Sequence, residues 1–153
     1  MTDELRVPKR RAQVEILMPG GGTRQVTVFL AEFASAHGGH ERLSDLLNAP
    51  GDFFPALDAA SDGIIFINRH VIAAASVSHE WETDPEPGSQ EHEVEIWLDG
   101  AQPLRGKVHF VLPPERSRLL DYLNEAQPFV RLAQSDKVTL VNKRHIARVS
   151  KLQ

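Results

Sequence analysis

The chain contains no cysteine, which removes disulfide frameworks, thiolate zinc centres and cysteine nucleophiles together. Aromatic residues make up only 7% of it, so there is little from which to build a stacking platform for bases. No apolar run approaches the roughly 18 residues that a membrane-crossing helix requires. Met1-Thr2-Asp3-Glu4-Leu5-Arg6 is not followed by the apolar segment of a leader. These absences predict a cytoplasmic protein with no membrane partner. What is present, 41% hydrophobic and 25% charged residues over 153 positions, is the balance of a globular protein.

The net charge of −4 is unevenly distributed. Residues 1–77 carry −2, residues 78–93 carry −6 with no Lys or Arg, and residues 94–153 carry +4. The acidic stretch also holds Trp81, Pro85, Pro87 and Gly88, a composition that builds no core, and reads as a linker. Its acids Glu80, Glu82, Asp84 and Glu86 are expected to screen the basic segment that follows.

The strongest internal signal is a repetition. Arg42-Leu43-Ser44-Asp45-Leu46-Leu47-Asn48 returns as Arg118-Leu119-Leu120-Asp121-Tyr122-Leu123-Asn124. In both, the apolar positions fall at i, i+3 and i+4, one face of a short helix. Arg42 and Arg118 lie three residues before Asp45 and Asp121, in reach of ion pairs, and Asn48 and Asn124 stand where a left-handed C-terminal residue is expected. Residues 64–76 likewise match 138–150 without a gap, with Asn68/Asn142, Ile72/Ile146, Ala73/Ala147 and Ser76/Ser150 identical. Phe54 is matched to Phe129 on the same reading.

The remaining pattern is strand-like. Val14, Ile16 and Met18 alternate, Pro19-Gly20-Gly21-Gly22 turns the chain, and residues 25–30 run back, a hairpin. Residues 64–67, Ile-Ile-Phe-Ile, are apolar on both faces and are expected in the middle of a sheet. The predicted class is α+β, mostly β: an internal duplication of a strand, strand, helix, strand, strand unit. Residues 1–12 form a flexible arm, 13–77 the first repeat, 78–93 the acidic linker and 94–153 the second repeat. Units of about 60 residues are marginal alone, so the two repeats are expected to pack as a pseudo-twofold pair.

Val94-Glu95-Ile96-Trp97-Leu98-Asp99-Gly100, Gly106-Lys107-Val108-His109-Phe110 and residues 138–149 together resemble an Sm-like domain. In that pattern a strand, a Gly turn, a second strand opened by Gly and a closing apolar strand end in a short basic turn, here Lys143-Arg144-His145. The resemblance implies tandem small Sm-like bent sheets or barrels, and RNA as a partner. An inserted mid-domain helix departs from that pattern.

No catalytic, cofactor or metal site is expected. His37-Gly38-Gly39-His40-Glu41 offers two histidines with no third ligand at a regular spacing. Pro19-Gly20-Gly21-Gly22-Thr23 precedes a strand rather than a helix N-terminus, so it lacks the donors of a phosphate loop. The expected activity is therefore binding or assembly through protein contacts, including self-association. RNA binding by Arg131, Lys143, Arg144, His145, Arg148 and Lys151 is the alternative. Trp97, pointing away from the face of Val94, Ile96 and Leu98, is a candidate contact anchor, as is Trp81 in the linker.

Overall fold

The computed structural model describes residues 9–33 and 39–152. Residues 1–8 of the expected arm, and His37 and Gly38 of the histidine-glycine motif, lie outside them. Ten strands and two short helices follow in order: β1 (Lys9–Leu17), β2 (Thr23–Ala31), α1 (Leu43–Asn48), β3 (Phe53–Asp58), β4 (Ile64–Asn68), β5 (Ala74–Val77), β6 (Gln90–Leu98), β7 (Leu104–Phe110), α2 (Leu119–Leu123), β8 (Phe129–Ala133), β9 (Val138–Asn142) and β10 (Ile146–Lys151). β1 therefore begins within the stretch expected as an arm, and β6 within the expected linker.

The strands form one antiparallel sheet in the order β10-β6-β7-β8-β9-β5-β1-β2-β3-β4. This corrects the expectation of two separate sheets or barrels. The physical cause is the pairing of β5 with β9, Ala74 opposite Val141 through Val77 opposite Val138, which fuses the two halves edge to edge. Within each half the order is the same, the last strand of the half lying beside its first, followed by the second, third and fourth. The joint unites the fourth strand of one half with the fifth of the other. β4 and β10 are left as the two edges of the sheet.

Alternation explains the burial. Ala12, Val14 and Ile16 of β1 and Val26, Val28 and Leu30 of β2 are buried while their neighbours face outward. They form one cluster with Leu43 and Leu47 of α1, and this cluster also takes Phe129, Val138 and Leu140 from the second half. A second cluster holds Val94, Ile96, Leu98, Val108, Val130, Leu132 and Val141, together with Ala73 from the first half. β9 is buried at all five positions because its alternate side chains enter different clusters.

The turn after Met18 is the expected hairpin, with Met18 N donating to Gly22 O at 2.7 Å and Gly21 N to Met18 O at 3.0 Å. Gly106 allows β7 to approach β8, since a Cβ there would stand 2.6 Å from Ala133 O and 2.9 Å from Leu132 Cγ. No described helix is long and apolar enough to cross a membrane.

Both helices are held at their N-termini as the repetition implied. Arg42 Nη2 lies 2.9 Å from Asp45 Oδ1, and Asp45 also accepts from the Arg42 backbone N at 2.8 Å; Arg118 and Asp121 repeat the arrangement at 3.3 and 3.1 Å. The asparagines differ from expectation. Asn124 has φ −93° and Asn48 closes its helix with Ala49 extended after it, so neither takes the left-handed form. Asn48 instead accepts a hydrogen bond from Phe129 N at 2.9 Å, reaching across the joint.

Candidate interaction surface

The eight residues singled out from the sequence do not form one surface. Arg131 is clamped in the linker: its Nε donates to Glu82 Oε1 at 3.1 Å and its Nη2 to Thr83 O at 2.8 Å. Glu82 is buried, and its carboxylate also accepts from Ser44 N and Ser44 Oγ at 2.9 and 3.0 Å. One acid of the linker thus ties α1 to β8 and pairs with one cation of the second half. Lys143 Nζ donates to Glu125 O at 2.6 Å, and partial burial lowers its pKa from the ordinary value while the Glu125 charge opposes that shift.

His145 Nε2 lies 3.2 Å from His70 O, within the joint. The Arg148 guanidinium sits 4.4 Å over the Trp97 ring. Trp97 does point away from the cluster of Val94, Ile96 and Leu98, but it is half-buried beneath Arg148, and its Nε1 is buried with no hydrogen-bond partner among the described residues. Trp81 is half-buried against the first cluster, with Arg10 4.5 Å over its ring. Arg144 and Arg148 are exposed. Among the described residues no group of three His, Asp or Glu is arranged to hold a metal ion.

The cleft beside the linker is lined by Arg42, Thr83, Asp84, His109, Phe110 and Arg131. Its two cations already have carboxylates, Asp45 and Glu82.

The surface that sequence reasoning missed lies at the far end of the sheet. β4 was expected inside the sheet, and it stands at the edge, paired only with β3 among the described residues. Ile64 is 57% exposed and Phe66 70%, with Phe53 on β3 at 58%. Val71, just beyond β4, is also exposed. No charged side chain interrupts Ile64-Ile65-Phe66-Ile67-Asn68, so the strand lacks the Lys, Pro or bulge that usually blunts a free edge. The sequence shows apolarity on both faces of this strand, but not which strand would lie beside it.

The opposite edge, β10, differs in character. It carries Arg148 and Lys151, both exposed, with Ile146 and Val149 half-buried toward the second cluster. Beside it α2 has no buried residue, whereas α1 buries Leu43 and Leu47 completely. A column of rings lies under α2, with Tyr122 stacked on Phe110 at 4.8 Å and Phe110 on His92 at 5.5 Å.

Compared with protein-family models, curated proteins and solved structures, the chain matches none.

Proposed function

We propose that this chain is a non-catalytic assembly module that works through protein contacts, built from two copies of one strand, strand, helix, strand, strand unit joined head to tail. Support for the duplication comes from several levels. The strand order of the two halves is the same. Val14-Glu15-Ile16 and Val94-Glu95-Ile96 hold corresponding registers, against β2 and β5 in one half and against β7 and β10 in the other. Glu15 accepts from Gln25 where Glu95 accepts from Arg105. A head-to-tail relation replaces the twofold expected from sequence, because a twofold pair would join like strands and the joint joins unlike ones. The Sm-like resemblance belongs to the same reading, supported by the repeated strand order and by the basic turn Lys143–His145 before β10.

One observation carries the assembly reading: the uncharged, apolar β4 edge with Phe53, Ile64 and Phe66 in water. Edges of this kind recruit another strand through main-chain hydrogen bonds, with side-chain contacts setting specificity. RNA binding has less behind it. Arg131, Lys143 and Arg148 are each engaged by an acceptor or a ring within the chain. The test is affinity capture with the tagged full chain and its Phe66→Lys variant. Retention by the wild type, of its own untagged copy or of another protein, should be lost in the variant. Equal retention by both, or none by the wild type, would overturn the reading.

A further inference from the structure

We propose that Thr83, in the segment between β5 and β6, is a site of phosphorylation, and that Arg42 and Arg131 form a clamp already built for its phosphoryl group. The site goes beyond the assembly reading and does not depend on the β4 edge.

Trp81 packs against the first cluster and Glu82 is buried, so the segment is pinned up to residue 82 and then emerges. Thr83 is exposed, and residues 83–86 belong to no helix or strand. The threonine is nevertheless held. Its Oγ1 accepts from Arg42 Nη1 at 3.1 Å, and its main-chain O accepts from Arg131 Nη2 at 2.8 Å. One guanidinium comes from the start of α1 and the other from β8, so a single hydroxyl-bearing residue stands between cations of the two halves.

Each guanidinium is a planar fork whose edges can serve different acceptors. Arg42 gives Nε and Nη2 to Asp45 and turns Nη1 to Thr83. Arg131 gives Nε to Glu82 and turns Nη2 to Thr83, and its Nη1 makes no hydrogen bond among the described residues. The two carboxylates are also held from elsewhere, Asp45 by the Arg42 main-chain N and Glu82 by Ser44 N and Oγ. A further anion on Thr83 therefore meets the remaining edges of both forks without displacing either acid.

There is room for it. Thr83 opens on a cleft of about 430 Å³ that is also lined by Ser89, His109 and Phe110. His109 Nε2 lies 3.0 Å from Glu91 Oε1, while its Nδ1 is buried with no hydrogen-bond partner among the described residues. Protonated, that nitrogen becomes one more donor in the cleft.

In the transfer, Thr83 Oγ1 attacks the γ-phosphorus of a nucleoside triphosphate held by a protein kinase. The bond from that phosphorus to the β–γ bridging oxygen breaks, the nucleoside diphosphate leaves, and the hydroxyl proton passes to the kinase's base. Asp84 and Glu86, one and three residues further on, are exposed acids that suit a kinase with a basic substrate groove. The product carries about −1.5 to −2 charge at neutral pH and three strong acceptor oxygens. Facing two guanidiniums, those oxygens form charge-assisted hydrogen bonds that tie α1 more tightly to β8. Without the arginines the same charge, beside Glu82 and Asp84, would repel its neighbours and loosen the segment.

The full chain, incubated with ATP and an acid-directed serine/threonine kinase, should gain a phosphoryl group that mass spectrometry places on Thr83 and that Thr83→Val does not acquire. No transfer to Thr83 overturns the phosphoacceptor. The full chain with phosphothreonine installed at position 83 during translation should melt about 3–6 °C above the unmodified chain. Its phosphate, followed by phosphorus NMR, should titrate below the value of about 6 that belongs to an unperturbed phosphothreonine. Arg42→Ala and Arg131→Ala remove contacts of their own, so the modified and unmodified forms are compared within each variant. The gain should shrink in each and become a loss when both arginines are replaced. A modified wild type that melts no higher than the unmodified chain, a phosphate that titrates as in a free peptide, or an undiminished gain without the arginines overturns the clamp.

Discussion

Asn142 is buried in the sheet, with its amide turned toward the loop between β4 and β5, where it satisfies main-chain carbonyls that would otherwise be enclosed without donors. Truncating it leaves those acceptors and the Arg144 N–H without partners, and each enclosed group costs about 1–3 kcal/mol. Asn142→Ala should therefore lower stability by ~2–3 kcal/mol, read as a drop in the urea midpoint with an unchanged slope. The paired carboxyls behave differently. Asp58 has its pKa lowered by the Arg24 hydrogen bond and by Ala60 N, and Glu91 by His109 and then Lys107. A depressed folded-state pKa adds stability that is fully present above the unfolded values of about 3.9 for Asp and 4.3 for Glu. That stability is lost as pH falls through the folded values. Arg24→Ala should accordingly destabilise the protein at neutral pH, and the difference from wild type should disappear once Asp58 is protonated in both states. A difference that persists in strong acid would place the role of Arg24 in packing.

At the scale of elements, the two helices are near copies in sequence and unequal in burial. Leu43 and Leu47 are fully enclosed because α1 lies over β8 and β9, while Leu119 and Leu123 have only their own half beneath them. Leu47→Ala should cost ~3 kcal/mol, as for other fully buried leucines, and Leu123→Ala about 1 kcal/mol, since the cavity left is partly open to water. Thermal melts of the two variants check the ordering, and equal losses would mean that α2 is covered in solution. The same contrast shows what the sequence could convey. Alternation in β1 and β2, the Pro-Gly hairpin and the Arg–Asp helix starts were legible because each is decided by neighbours a few residues away. The place of β4 was not. Ile64-Ile65-Phe66-Ile67 and Val138-Thr139-Leu140-Val141 read alike, yet one is an edge and the other is enclosed. Which of two similar strands finds a partner depends on pairing between distant segments, and a local pattern holds no record of it. A one-residue slip had the same origin: matching Phe54 to Phe129 keeps an aromatic over an aromatic, and only the ladder against Asn68 and Asn142 shows that Phe53 is the counterpart. The cations of the second half were visible as charges, but their acceptors, Glu82, Glu125 O and the Trp97 ring, were not, because those contacts close over long or irregular stretches.

Taken whole, the described residues form two clusters and one sheet, and the question is whether the molecule unfolds as two bodies or one. β9 decides this, because Val138 and Leu140 enter the first cluster while Val141 enters the second, so neither cluster survives loss of that strand. The linker adds a second tie, with Glu82 holding Ser44 of α1 and Arg131 of β8 together. Small units of about 60 residues are marginal alone, and here each lends the other part of its interior. Unfolding should therefore be a single transition. The two tryptophans report on it separately: Trp81 packs against the first cluster and Trp97 lies on β6 in the second half. Trp97→Phe leaves Trp81 as the only tryptophan, and Trp81→Phe leaves Trp97. In each variant the fluorescence transition in urea should coincide with that variant's far-ultraviolet circular dichroism, because the sheet has no place to divide. Two separated midpoints would show that the β5–β9 joint opens before either half melts, and the continuous sheet would then be a docking of independent units.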